Sequence, residues 1–193
     1  KIEKETPDVI TLDVEMPKMD GLEFLERLMA RKPIPTVMLS SVTTKESKIT
    51  IKALELGAFD FVAKPSGAIS LDIDKVQKEL IEKVRLAAKS KIRKKIKKQV
   101  KRSKRTNRVS VVKKRRGSVK SGKEKMLVIG ASTGGPRALK DVVTLLPEDI
   151  NAPILIVQHM PAGFTTSLAQ RLDKLSNIKV KGATEGDRLE KGV

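Results

Sequence analysis

Short, fully apolar runs alternate along the chain with longer stretches in which apolar residues recur every three or four positions. The short runs are typical of strands that are buried on both faces of a parallel sheet, and the longer stretches are typical of amphipathic helices. Strands are predicted at 9–14, 36–40, 59–63, 126–131 and 154–158, and helices at 22–29, 49–56, 138–146 and 165–175. Strands that alternate with helices indicate an α/β fold with parallel sheets.

A strongly basic stretch divides this pattern in two. Residues 89–125 hold 19 of the 41 Lys and Arg residues but only one of the 23 acidic residues. The net charge of +18 therefore comes from this stretch, and the flanking regions are balanced. We predict two α/β domains, at 1–90 and 125–193, joined by a basic linker over 91–124.

The linker is predicted to begin as a helix. Apolar residues recur every four positions from Val76 to Val100, which is helical spacing. We expect the helix to start near Asp74, with Asp72 as its N-cap, and to run to about Arg93 or on to Val100. The later part, rich in Lys, Arg, Ser and Gly, should be a mobile tether.

Composition excludes several classes of protein. The chain has no cysteine, so disulfides and thiolate metal sites are excluded, and a reducing compartment fits. It has no apolar run long enough to span a bilayer, and residues 1–8 lack the apolar core of a signal peptide. We expect a soluble cytoplasmic protein. The basic linker lacks aromatic residues, which argues against specific recognition of single-stranded nucleic acid.

Three polar side chains follow the first three predicted strands. Asp13 ends the apolar run 9–12 of the first, Ser40 ends the second, and Lys64 follows the third. The carboxyl ends of parallel strands meet at one edge of a sheet, where α/β folds bind ligands. A carboxylate, a hydroxyl and an ammonium at one edge are the groups that a reversible aspartyl phosphate needs.

A tight glycine turn follows the fourth predicted strand. The pattern Gly130-x-Ser132-x-Gly134 satisfies the nucleophile-elbow rule, in which small residues let a serine project from a strand-to-helix turn. The following helix, with Pro136 in its first turn, offers free amides to a developing oxyanion, and the amide of Thr133 is the first candidate donor. A phosphate cradle or a loop without chemistry would fit the same glycines.

The only histidine, His159, favours the nucleophile. It follows the strand 154–158, and one crossover helix separates that strand from the one before Ser132. The two strands should be parallel neighbours about 4.8 Å apart, which brings the hydroxyl and the imidazole to one rim. His159 would take the Ser132 proton, the serine would attack an ester carbonyl, and water would release the acyl group. An acid should orient His159, but no later acid, among them Asp173, follows a clear buried strand.

The first set of residues closely resembles response-regulator receiver domains, through Asp13-Val14-Glu15-Met16-Pro17 and Met19-Asp20-Gly21, with Ser40 and Lys64-Pro65 at this spacing. The resemblance implies that Asp13 is the phosphoacceptor, Ser40 the switch hydroxyl and Lys64 the phosphate contact. It also implies Mg²⁺ held by Asp13 and the backbone carbonyl of Glu15. Receivers complete that site with two adjacent acids in an earlier strand, so we expect a receiver truncated at its start with an incomplete metal site. The Lys64-Pro65 bond is expected to be cis.

The second set, residues 130–136 with Val157-Gln158-His159-Met160-Pro161, strongly resembles the catalytic domain of CheB-type methylesterases. By that resemblance Ser132 and His159 are catalytic and Thr133 lies beside the nucleophile. The triad aspartate would lie beyond this chain, so the fragment itself is expected to be inactive.

Together the resemblances imply a partial flavodoxin-like receiver followed by a partial Rossmann-like methylesterase, two doubly wound parallel-sheet domains. The implied activity is hydrolysis of glutamyl methyl esters, and deamidation of glutamines, on chemotaxis receptors. Phosphorylation of Asp13 by a chemotaxis histidine kinase would activate the esterase by relieving blockage of the Ser132 site by the receiver, and Mg²⁺ would serve only the receiver. No specific nucleic acid and no membrane insertion are expected. The linker would be a solvated tether, a nonspecific polyanion patch, or a docking site for acidic receptor helices or an anionic membrane surface. The alternative, a DNA-binding response regulator, predicts a helix-turn-helix where the serine turn stands.

Overall fold

The computed structural model describes residue 2 and residues 4–65, 73–90 and 125–193. Within them five strands alternate with five helices. In chain order these are β1 (Ile10–Asp13), α1 (Gly21–Arg31), β2 (Thr36–Ser40), α2 (Thr44–Leu56), β3 (Asp60–Ala63), α3 (Ile73–Lys89), β4 (Leu127–Ala131), α4 (Gly135–Val143), β5 (Ile154–Gln158) and α5 (Phe164–Leu175).

The strands form two parallel sheets. The first has the order β1-β2-β3, with Met38 of β2 in register between Leu12 and Phe61. The second pairs β4 with β5, with Ala131 opposite Gln158. The predicted α/β class with parallel sheets is therefore confirmed.

Helices cover both faces of the first sheet. Val37 of β2 packs in a cluster with Val62 and Ala87, on the side of α3. Its neighbour Met38 points the other way and belongs to the larger cluster that includes Leu25 of α1 and the apolar residues of α2. Successive side chains of a strand face opposite ways, so a strand that is apolar throughout must be covered on both sides.

Local capping fixes where the first two helices begin. The Asp20 carboxylate accepts a hydrogen bond from the Glu23 amide at 2.7 Å, and the Thr43 hydroxyl accepts one from the Glu46 amide at 3.2 Å. Such caps satisfy amides that have no partner inside the helix, and each contributes about 1 kcal/mol. They place the starts of α1 and α2 directly after the loops that leave β1 and β2.

The helix predicted at the start of the linker is present, from Ile73 to Lys89. Directly after it, the Ser90 hydroxyl and amide both donate to the Ala87 carbonyl. The predicted cap Asp72 lies outside the described residues. So does the predicted extension beyond Ser90, together with the linker 91–124.

The two halves of the chain share one apolar core. Phe61 of β3 and Phe164 of α5 stack with ring centroids 4.4 Å apart, inside a cluster that also holds buried residues of α2 and α4. Helix α2 lies against α5, where the hydroxyls of Ser47 and Ser167 are 2.8 Å apart. None of the described helices is long and apolar enough to cross a membrane.

Candidate functional site

The ends of β4 and β5 bring Ser132 and His159 together. The parallel ladder continues one step past Gln158, where the His159 amide donates to the Ala131 carbonyl at 2.9 Å. The next residue of β4's chain is Ser132, whose Oγ lies 3.5 Å from Nδ1 of His159. Both residues are exposed. This separation is at the outer limit of a hydrogen bond, which is common for catalytic pairs without substrate.

The turn after Ser132 has the geometry of an elbow. Gly134 adopts φ 72°, a left-handed conformation that favours glycine, and the Gly135 amide closes the turn on the Ser132 carbonyl at 2.7 Å. Helix α4 begins there with Pro136 in its first turn and without a side-chain cap. Its amino end therefore faces the serine, and Thr133 is exposed beside it.

Gln158, the last residue of β5, ties the two strand ends together. Its Nε2 donates to the carbonyl of Ser132 at 3.0 Å and to the carbonyl of His159 at 2.9 Å. Its Oε1 is buried without a hydrogen-bond partner and lies so close to Gly135 that an added Cβ would come within 1.9 Å. We missed this residue in the sequence, where its signal is a polar side chain ending an apolar strand.

No acid orients His159 within the described residues. Asp173 lies in α5, and its carboxylate accepts instead from the Val180 amide at 2.8 Å. Asp187 bonds to Lys181 and to the Thr184 amide, and these two contacts lower its pKa to about 2. The placement of the triad aspartate beyond this chain stays a prediction.

At the edge of the first sheet the structure joins two of the three expected groups. Lys64 Nζ donates to Oδ2 of Asp13 at 2.7 Å, and the other carboxylate oxygen accepts from the Glu15 amide at 3.2 Å. Both side chains are about one-third exposed. The Asp13 carboxylate is therefore held beside an ammonium group and is partly open to solvent.

The hydroxyl of Ser40 has hydrogen-bond partners outside this pair. Ser40 is fully buried and accepts a hydrogen bond from Thr50 Oγ1 at 2.8 Å, while Oε2 of Glu46 lies 3.4 Å away. Thr50 and Glu46 both belong to α2. Asp13 and Lys64 therefore meet directly, whereas the Ser40 hydroxyl is buried against α2, and its role as a switch stays a prediction.

Glu46 is the acid that α2 contributes. Burial of its carboxyl works to raise its pKa, but hydrogen bonds from the side chain and the amide of Ser41, the charge of Lys64 and the Ser40 hydroxyl outweigh it, so the pKa is lowered. The Ser41 amide donates to Oε2 at 2.6 Å. The sequence signal was Thr43-x-x-Glu46, a capping-box pattern.

The first site was also expected to hold Mg²⁺ and to contain a cis Lys64-Pro65 bond. The described residues contain no group of three acids or histidines able to hold a metal ion, and the Mg²⁺ site with Asp13 and Glu15 stays a prediction. The described residues also contain no cis peptide bond, so the expectation for Lys64-Pro65 was wrong. The trans isomer is the more stable one for most bonds that precede proline.

Asp60 connects the two halves at the elbow. It starts β3, is 4% exposed, and its Oδ2 accepts a hydrogen bond from the Gly134 amide at 3.3 Å. Its Oδ1 accepts from the Phe61 amide at 2.8 Å and lies 3.6 Å from Lys83 Nζ. Burial raises the pKa of this carboxyl, although Lys83 and the two amides act in the opposite direction.

Comparison with known proteins assigns both halves. Residues 1–73 match the response regulator receiver domain, and residues 127–193 match the CheB methylesterase domain. The chain thus combines a receiver region with a methylesterase region, in that order. It belongs to the CheB-type family, as its relatives along the whole length agree.

Those relatives are named protein-glutamate methylesterase/protein-glutamine glutaminase. The protein from Halalkalibacterium halodurans is 50% identical over 187 residues, which are 97% of this chain and 51% of the relative. The protein from Bacillus subtilis is 49% identical over 193 residues, 100% of this chain and 54% of the relative. That from Archaeoglobus fulgidus is 44% identical, over 97% of this chain and 52% of the relative. The chain spans about half the length of these relatives.

Proposed function

We propose that the chain carries the receiver and the nucleophile of a protein-glutamate methylesterase that acts on chemotaxis receptors. The observation that carries the proposal is the meeting of Ser132 and His159 at the common rim of adjacent parallel strands. The names of the relatives supply the ester and amide of a glutamyl side chain as substrates.

The rim supports a two-step hydrolysis. His159 Nδ1 takes the Ser132 proton while Oγ bonds to the ester carbonyl carbon, whose oxygen becomes an oxyanion near the amides at the start of α4. Collapse of this intermediate expels methanol, which receives the proton from His159. Water then attacks the acyl-serine with His159 again as base, which frees the glutamate carboxylate and restores the serine. A glutamine substrate would release ammonia in place of methanol.

The receiver half would control this rim through phosphorylation of Asp13. Lys64, at 2.7 Å from Asp13, would neutralise the phosphoryl oxygens, and a chemotaxis histidine kinase would supply the group. Helix α2 holds the Ser40 hydroxyl on one side and contacts α5 on the other. A change at Ser40 on phosphorylation therefore has a direct structural route to the methylesterase half.

The test uses a completed chimera, in which this chain's sequence is joined to the parts of the Bacillus subtilis relative that lie outside the match. Methanol release from methylated receptor is measured. Ser132→Ala should lower it by more than about 100-fold, because the hydroxyl forms the covalent intermediate. Ser90→Ala, which removes a hydroxyl at the end of α3, is the matched control. Undiminished release from Ser132→Ala would overturn the assignment.

A second measurement tests the regulation of the esterase by phosphorylation of Asp13. A phosphodonor should stimulate the chimera, and Asp13→Asn should abolish the stimulation, whereas Asp8→Asn, at an exposed aspartate nearby, should retain it. Stimulation that survives Asp13→Asn would place the phosphoryl group elsewhere.

A further inference from the structure

We propose that Gln158 is a positioning residue that sets the separation between Ser132 and His159. The inference rests on the proposed function only for its catalytic consequence. The juxtaposition is one carboxamide nitrogen bonded to the backbone carbonyls of both members of the pair.

The sheet alone does not hold these carbonyls. The last ladder bond runs from the His159 amide to the Ala131 carbonyl. Beyond it the chain of Ser132 turns into the elbow and the chain of His159 leaves toward α5. Gln158 spans the point where the strands separate, so its side chain replaces the next step of the ladder.

The chemistry requires a carboxamide at this position. Two carbonyl oxygens converge on Nε2, and a neutral NH₂ group offers two protons to them from one atom. A glutamate would set its oxygens against both carbonyls, and an aliphatic side chain would donate to neither. The orientation is also fixed on the far side, where Oε1 is buried against Gly135 without a hydrogen-bond partner.

The unpaired Oε1 supports a role for Gln158 in positioning Ser132 and His159. A buried acceptor without a donor is unfavourable, and a solvent-facing carboxamide would avoid this cost. The orientation is kept because rotating the amide would break both bonds to the strand ends. Replacing the Gln158 side chain should therefore keep the fold intact, but the distance between the Ser132 hydroxyl and the His159 imidazole should no longer be fixed.

The experiment uses the 193-residue chain, whose single histidine makes the imidazole ¹⁵N resonances report His159 alone. Ser132→Ala is introduced into the native chain, into Gln158→Met and into Gln170→Met. Gln170 is an exposed glutamine on α5, and it provides the matched control. We expect Ser132→Ala to shift the His159 ring resonances in the native and Gln170→Met chains. In the Gln158→Met chain the same substitution should give a shift below about half of that in the native chain.

An equal shift in all three backgrounds would overturn the inference. If Gln158→Met does not fold, as judged by circular dichroism, Gln158→Glu replaces it, since it keeps the size and removes both donors. The same expected loss and the same contrary result apply to it.

A kinetic arm in the completed chimera separates this inference from the proposed function. Gln158→Met should lower kcat by about 10- to 100-fold with KM changed less than about 2-fold, because a displaced base weakens proton transfer and leaves binding intact. Absence of any Ser132-dependent hydrolysis would overturn the proposed function, while the ¹⁵N result would still decide the role of Gln158. Unchanged kcat in an active chimera would overturn the role of Gln158 alone.

Discussion

Asp60 accepts a hydrogen bond from the amide of Gly134 at 3.3 Å, so the first residue of β3 touches the elbow that carries Ser132. The carboxylate lies at the amino end of α4, where a helix binds negative charge. Ser132 itself stays exposed. The receiver half thus meets the candidate active site at its anion-binding amides, with the nucleophile left open.

Asp60→Ala in the completed chimera should raise methanol release measured without phosphodonor. Loss of one hydrogen bond to a charged group weakens the contact by about 1 kcal/mol or somewhat more, so a rise of about 3- to 10-fold is expected. Asp141→Ala, at an exposed acid on α4, should leave the rate unchanged. A rate that falls with Asp60→Ala would mean that the carboxylate supports the elbow in its active form.

The two buried acids should affect acid stability with opposite signs. The pKa of Glu46 is lowered from 4.5, so its contribution to the free energy of unfolding is complete above pH 4.5 and is lost as the pH falls below that value. The pKa of Asp60 is raised from 3.8, so the cost of its ionised form is present at neutral pH and disappears as the pH falls toward 3.8. Glu46→Gln should therefore flatten the loss of stability in acid, and Asp60→Asn should steepen it.

Urea unfolding at a series of pH values between about 6 and 3 checks this pair. The two acids have different cationic neighbours, Lys83 for Asp60 and Lys64 for Glu46. Glu46→Gln should therefore leave the charges around Asp60 unchanged, and Asp60→Asn should leave those around Glu46 unchanged. Two variants with acid slopes changed in the same direction would contradict the assignment.

The ion pair between Glu55 and Arg171 should contribute to holding the two halves together. Arg171 donates from Nε and Nη2 to both carboxylate oxygens, at 2.6 and 2.7 Å, and Glu55 is 14% exposed. A double-mutant cycle with Glu55→Ala and Arg171→Ala should give a coupling free energy of about 1 kcal/mol.

The exposed pair Glu23 and Arg27 on α1 is the comparison for that cycle. Its side chains are 49% and 62% exposed, and its coupling should be about 0.5 kcal/mol or less. Equal couplings for the two pairs would show that the contact between α2 and α5 adds nothing to ordinary surface pairing.

Two glycines near the elbow should respond differently to alanine. A Cβ at Gly135 would lie 1.9 Å from Gln158 Oε1 and 2.9 Å from the Ala131 Cβ, whereas a Cβ at Gly130 would meet nothing within 4 Å. Gly135→Ala should lower the free energy of unfolding by about 1–3 kcal/mol, and Gly130→Ala should change it little.

Thermal or urea unfolding measures both glycine variants. Combining Gly135→Ala with Gln158→Ala should recover part of the lost free energy of unfolding, because the shorter side chain at 158 leaves room for the added methyl group. A double variant less stable than either single variant would show that the backbone, and not the carboxamide, opposes the added methyl group.

The sequence predicted the strands most accurately where apolar runs were bounded by polar or turn residues. The strands predicted at 36–40 and 154–158 have these bounds in the structure. The proximity of Ser132 and His159 also followed, because it depends on two adjacent strands and one crossover. Local pattern carries this much information because hydrophobic periodicity within a segment indicates the type of element and where it ends.

The remaining features depend on contacts that local pattern does not encode. Ser40 was correctly placed at a strand end, but its hydroxyl direction is decided by Thr50 and Glu46 on the following helix. Asp60 and Gly134 are 74 positions apart, and nothing near either residue indicates the other. Gln158 was read as part of a motif, and its two bonds required the backbone of the elbow to be known.

The register that pairs Ala131 with Gln158 determines the separation of Ser132 and His159, which follow them in the chain. A slip of one residue in this register would move the imidazole about 3.3 Å along the strand and turn it to the other face. By contrast, the crossover between the strands can gain or lose residues in its loops without altering that distance. Insertions should therefore be tolerated around 145–152 in evolution or by engineering, whereas the few residues at the two strand ends admit none.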